Sequence, residues 1–138
     1  MKNLDRFIEA QEKNYEDALS EIKKGKKTSH WMWYVFPQIA GLGHSDTAKF
    51  YAIEDLDEAK AFLNHPILGK RLVDISTALL IHQDKTAHEI LGSPDDVKLH
   101  SSMTLFNHID KENEIFSEVL AKYFDNKRDL NTTALLNK

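Results

Sequence analysis

Residues 29–45 read SHWMWYVFPQIAGLGHS, and this stretch decides the fold. It holds both tryptophans of the chain, with a tyrosine, a phenylalanine and a proline. Aromatic side chains bury large areas and dominate core energetics, so a cluster this dense belongs in the middle of a domain, along a pocket, or both. Alternation of Trp31, Trp33 and Val35 would suit a strand, but nothing downstream looks like a pairing partner. A short helix over residues 30–36 is therefore expected, capped by Ser29 and ended by Pro37, which disfavours helix at Phe36. Residues 38–44, with Gly41 and Gly43, follow as an irregular loop. Glycine lets backbone N–H groups approach a ligand closely, although a lone GxG is more often just a turn.

Upstream, Asn3 can cap a helix to about Lys24, with Leu4, Phe7, Ile8, Tyr15, Leu19 and Ile22 as its apolar stripe. Gly25 is its natural stop. Lys23, Lys24, Lys26 and Lys27 then form a basic corner, either a solvated helix end or an anion-attracting rim beside the aromatic cluster. Downstream, Ser45 caps a helix over residues 46–53, and Asp55-Leu56-Asp57-Glu58 resembles a capping box opening another. Pro66 stands at the first position of the clearest long helix, residues 66–83, where Leu68, Leu72, Ile75 and Leu79 recur at helical spacing. Thr86 to Glu89 fits a capping box closed by Gly92. Ser93 caps a helix to about Asn107 with Pro94 in its first turn and Leu99, Met103 and Phe106 inward. Residues 112–124 and 129–136 complete the chain as two further helices.

These elements predict an all-α single domain, residues 1–138, of six to nine helices packed around the aromatic segment. A chain of 138 residues buries roughly two-thirds of its unfolded surface, enough to fold without metal or disulfide. It has no cysteine, which excludes thiolate chemistry and suits a cytoplasmic setting. A net charge of −4 argues against duplex nucleic acid as partner. No apolar run is long enough for a membrane span, and the start, MKNLDRFIEAQ, is charged rather than signal-like. The histidines form no zinc pattern, and neither a nucleophile elbow, a P-loop nor a Rossmann fingerprint occurs. No metal or cofactor is expected. Oligomeric state is left open.

Three stretches place polar groups beside apolar ones: His30 with Trp31, Trp33 and Gln38; HPILGKRL at residues 65–72; and GSPDDVKLHSSMTLF at residues 92–106. On a helix Lys98 and Ser102 share a face, which Asp95 joins. Such a row could bind phosphate or position a water; the plain alternative is a surface ion pair. His30 titrates near neutrality and could act as acid or base, or merely start a helix. Trp33 could stack on a base, or be core. Arg71 presents a fork suited to phosphate, or a surface salt bridge.

These three motifs, over nearly the whole chain, resemble the bacterial family catalogued as domain of unknown function 1810, which implies a small helical fold and no established activity. A fainter resemblance is to the NADAR family, helical proteins associated with ADP-ribose-type ribosyl N-glycosides. Leu68-Gly69-Lys70-Arg71 matches that family's Leu-Gly-x-Arg, and residues 96–106 overlay its acidic-to-Met helix. Its early Tyr-Glu-His element has no counterpart; residues 45–53 offer Asp46, Lys49 and Tyr51 instead.

That resemblance implies cleavage of a ribosyl C–N bond through an oxocarbenium-like transition state, with Asp96 or Asp46 as the carboxylate. Trp31 or Trp33 would stack on the ring, and Arg71 and Lys98 would hold phosphate oxygens. The alternatives are a non-enzymatic pocket for a nucleotide or small anion, or a partner-binding helical protein anchored by exposed tryptophans. The ligand readings expect a polar cleft between residues 29–45 and the helix of residues 94–107.

Overall fold

The Asn3 carboxamide accepts the Asp5 N–H at 2.8 Å, and α1 (Asp5–Lys24) runs from there to Gly25. Gly25 adopts φ +85°, the left-handed conformation that closes a helix, and its N–H bonds back to Glu21 and Ile22. The computed structural model describes residues 3–137. Its further helices are α2 (Met32–Val35), α3 (Asp46–Tyr51), α4 (Leu56–Asn64), α5 (Leu68–Leu79), α6 (Ala87–Leu91), α7 (Asp95–Ile109), α8 (Glu114–Phe124) and α9 (Leu130–Leu136). The described residues thus form nine helices and no strand. A single parallel bridge pairs Ile39 with Ile53, through Ile53 N–H to Gln38 O and Ala40 N–H to Ile53 O, both 2.8 Å. It staples the loop after Pro37 to the end of α3.

Helix boundaries follow side-chain caps. Ser45, Asp55, Thr86, Asn113 and Asp129 each accept a first-turn N–H of α3, α4, α6, α8 and α9. Thr86 and Glu89 make the complete capping box. The resemblance at Asp55 is half met: Asp55 accepts the Glu58 N–H, but the Glu58 carboxylate turns to the Glu54 N–H and to Arg6. Pro66 precedes α5 rather than opening it, because His65 Nδ1 accepts the N–H groups of Ile67 and Leu68. Ser93 does not cap α7, whose N-cap position is Pro94.

α7 is the central helix. Its consecutive residues 101–107 are all buried, and at 100° per residue seven positions cover every face. It packs against α4, α6, α8 and α9. A file of rings crosses the core from α1 to α8. Phe7 meets Phe62 edge-on at 5.1 Å, Phe62 meets Phe106 at 5.6 Å, and Phe106 meets Phe116 at 5.8 Å. The aromatic segment enters this core, as expected: Trp31, Met32, Val35 and Phe36 are buried in it, while Trp33 and Tyr34 stay at the rim.

α5 lies against α4 so closely that a Cβ on Gly69 would stand 1.9 Å from the Leu63 carbonyl oxygen. The glycine of the Leu-Gly-x-Arg motif therefore serves helix packing. α1 is tied to residues 50–58 by Arg6. Its guanidinium pairs with the fully buried Glu58 at 3.1 Å and donates to the carbonyls of Phe50, Ala52 and Asn3.

Candidate functional site

Lys27 is delivered to the start of α7 by two anchors. Its N–H donates to Ile90 O at 2.7 Å. The next residues are gathered by the Glu21 carboxylate, which accepts from the Thr28 and Ser29 amides, the Ser29 hydroxyl and the Trp31 indole. Burial alone would raise this carboxyl. The bonds from Ser29, Thr28 and Trp31 outweigh it and hold Glu21 at about 2, below its ordinary 4.5. Ser29 is thus spent on Glu21 rather than capping the aromatic helix, and α2 shrinks to one turn over Met32–Val35.

Opposite, the first turn of α7 presents Asp95. Lys27 Nζ stands 2.9 Å from its Oδ2 and Lys98 Nζ 3.2 Å from its Oδ1. All three side chains are largely covered, with exposures of 9% for Lys27, 17% for Asp95 and 18% for Lys98. Each ammonium also lies over an indole: Lys27 over Trp31 at 5.2 Å and Lys98 over Trp33 at 3.8 Å. Two cations share one anion, so this group carries one net positive charge in partly desolvated surroundings, where electrostatic interactions strengthen.

Trp33 and Lys98 form the partition between two hollows. One, about 300 Å³, is bordered by Lys27, His30, Thr47 and Asp95. The other, about 290 Å³, is bordered by Gln38, Leu42, Ser101, Asp129 and Asn131. Residues 29–45 and α7 therefore face each other across open space. The first hollow is cationic. The second is walled largely by apolar groups, Trp33, Leu42, Pro94 and Val97 among them, with Gln38, Ser101, Asp129 and Asn131 as polar groups; Oδ2 of Asp129 accepts from Thr132 and Ser101, while Oδ1 has no described partner.

The expected site residues divide. Trp33, Gln38 and Lys98 border the second hollow, and His30, Trp31, Trp33 and Lys98 the first. Trp31 is only 1% exposed, with its indole N–H on Glu21, so it is floor rather than stacking platform. His30 is exposed, and its carbonyl accepts the Tyr34 hydroxyl.

Four residues are not brought to the hollows. Asp96 turns away to His88 at 3.4 Å and to the Val97 N–H. Asp46 is an exposed first-turn acid of α3. Arg71 lies against α1, over the Tyr15 ring and within 3.5 Å of Gln11 and Glu12. Ser102 is fully buried with no hydrogen-bond partner for its hydroxyl among the described residues. The row expected along α7 is out by one position: Ser101, three residues after Lys98, reaches the hollow. Helical phase separates them by 100°, and residues 101–107, buried on every face, offer no amphipathic pattern from which to set that phase.

Sequence reasoning did not assign Asp129, Asn131, Thr47 or Glu21 to this region. Lys27 had a signal in the basic corner beside the tryptophans, and Asp95 in its acid pair. Asp129 had only the signature of a helix cap. Among the described residues no cluster of histidines and acids is placed to hold a metal ion.

The comparisons with known proteins agree with this architecture. A family model described as "Protein of unknown function (DUF1810)" matches residues 1–136. The crystal structure of the conserved hypothetical protein Rv1873 from Mycobacterium tuberculosis is similar, with a TM-score of 0.96 and 44% identity. That match covers 98% of this chain and 96% of that one. No curated protein matches.

Proposed function

The chain belongs to the DUF1810 family, whose description assigns no activity, and from the site itself we propose that it binds a phosphate-bearing nucleotide or ADP-ribose-type ligand across Trp33. The observation that carries this is the Lys27–Asp95–Lys98 group, held over two indoles at the edge of two hollows. The phosphate belongs with the lysines in the cationic hollow, where charge-assisted hydrogen bonds are strong. The ribose and base belong beyond Trp33, among Gln38, Ser101, Asn131 and Asp129, which offer donors and acceptors to a sugar. Hollows of this size suit a small molecule; neither a duplex nor a membrane is the partner in this proposal. A cytoplasmic setting fits such a ligand. No described helix is long and apolar enough to cross a membrane.

A second reading rests on Asp129. Asp129 borders the hollow where the ribose is placed, its Oδ1 has no described partner, and a carboxylate there could steady an oxocarbenium ion and guide water. The C–N bond would break, water oxygen would bond to the anomeric carbon, and the proton would pass to the departing nitrogen. Asp95, clamped by two lysines, is the less suitable carboxylate. Trp31 is buried and Trp33 lies under Lys98, so neither presents an exposed anchor for a protein partner.

Titration calorimetry and tryptophan fluorescence with ADP-ribose, AMP and adenosine test the binding proposal. ADP-ribose and AMP are expected to bind and alter Trp33 emission, with adenosine much weaker. If none of the three binds, the proposal is wrong. Chromatography of the same mixtures tests hydrolysis: released adenine supports the Asp129 reading, and unchanged ligand removes it.

A further inference from the structure

A further hollow, about 500 Å³, lies elsewhere along α7. The α8–α9 connection separates it from the hollows at Trp33: Asp129 and Asn131 border one side, Arg128 and Thr133 the other. The seam between them is closed by the Asp129 N–H donating to Thr104 Oγ1 at 3.0 Å.

Its cations are Arg128 and Lys111, with the His108 imidazole beside them, and no carboxylate stands in the lining. Arg128 is held in place without an acid. Its Nη2 donates to Asn107 Oδ1 at 2.7 Å, and its Nη1 to Asn126 O at 3.0 Å and Oδ1 at 3.2 Å. A guanidinium has five N–H donors, so at least two remain for a ligand. Among the described residues neither Lys111 nor His108 has an ion-pair partner. The floor is Asn107, only 5% exposed. Its Oδ1 is taken by Arg128, while its Nδ2 donates to no described residue and is left for whatever occupies the hollow.

The hydroxyls complete the pattern. Thr104 donates to His100 O at 2.7 Å, Ser117 to Glu114 O at 2.9 Å, and Thr133 to Leu130 O at 3.0 Å. With their protons spent on the backbone, these oxygens can only accept from a ligand. No Phe, Tyr or Trp ring lines the hollow, and the only ring there is the exposed His108 imidazole, a small platform that favours a sugar over a base.

We propose that this hollow is a second ligand site, independent of the one at Trp33, that takes a phosphorylated sugar or polyol. The phosphate sits on Arg128, Lys111 and the Asn107 Nδ2, and the ligand's hydroxyls donate to Thr104, Ser117 and Thr133. Arginine presents the planar fork that phosphate recognition favours. The hollow is large enough for a pentose or hexose phosphate.

Nitrogen-edited NMR of the full chain, titrated with ribose 5-phosphate, inorganic phosphate and ribose, provides the test. Ribose 5-phosphate is expected to shift the Asn107 carboxamide signals, with the same midpoint in wild type and in Lys98→Gln, whatever it does at the Trp33 indole. Inorganic phosphate should shift the same signals at higher concentration, and ribose should not. Arg128→Gln and Lys111→Gln should each weaken the ribose 5-phosphate response read at Asn107 by about tenfold, while Lys98→Gln leaves the Asn107 response unchanged. Lys111 is exposed, so its variant keeps the test intact if Arg128→Gln fails to fold. Absence of any shift at Asn107 would overturn the proposal, as would binding lost in Lys98→Gln but kept in Lys111→Gln. Equal affinity for inorganic phosphate and ribose 5-phosphate would overturn its sugar component.

Discussion

Lys98 Nζ lies 3.8 Å from the centre of the Trp33 ring while remaining 3.2 Å from the Asp95 carboxylate. One ammonium thus joins α7 to the aromatic turn by two kinds of contact. A cation over an indole at a partly covered site contributes about 0.5–1 kcal/mol. A double-mutant cycle of Lys98→Met and Trp33→Leu, read by urea denaturation, should return a coupling of that size. Coupling indistinguishable from zero would mean that the stacking is incidental.

Asp95 compensates two lysines at once. Asp95→Asn leaves both ammonium groups and removes the only carboxylate paired with them among the described residues. Affinity for ADP-ribose or AMP should rise, and its salt dependence should steepen because more charge is exposed to screening. Calorimetry at two ionic strengths checks this. Weaker binding in the variant would show that the carboxylate itself contacts the ligand.

Glu21 links acid sensitivity to the aromatic segment. Its carboxyl is held at about 2 in the fold against an ordinary 4.5. A lowered folded value contributes stability that is present above pH 4.5 and lost as the pH falls from there towards 2. Wild-type denaturation midpoints should decline across that window. In Glu21→Gln the midpoint should be lower at neutral pH, and the part of the decline due to this group should vanish. Parallel profiles for the two proteins would refute the assignment.

Arg6 and Glu58 form a pair with side chains 5% and 0% exposed. Removing one partner strands a buried charge, at a cost of about 3–5 kcal/mol. Arg6→Met and Glu58→Leu should each destabilise by that order, and the double variant by less than the two effects added. Strict additivity in chemical denaturation would contradict the pairing.

Local chemistry made much of the fold legible. Gly25, Thr86 with Glu89, Ser45 and Asp129 act within one helical turn, so neighbours in sequence settle what they do. The class followed from the same signals: caps ahead of successive elements and apolar stripes at helical spacing. The opposed placement of residues 29–45 and α7 was also expected from their composition.

What stayed hidden depended on partners far along the chain. Ser29 looks like a cap until Glu21 folds back to take its hydroxyl. Arg71 looks like a phosphate fork until α5 lays it on Tyr15. The buried Arg6–Glu58 pair spans α1 and α4 with no periodicity to announce it. The sequence by itself determined the helices and their order, because capping and helical spacing are short-range effects. Only the tertiary structure decided which polar residues meet a hollow. That choice turns on the rotation of α7, whose middle, residues 101–107, is buried on every face, and on the path by which the α8–α9 connection carries Arg128 and Asp129 to opposite sides of one seam.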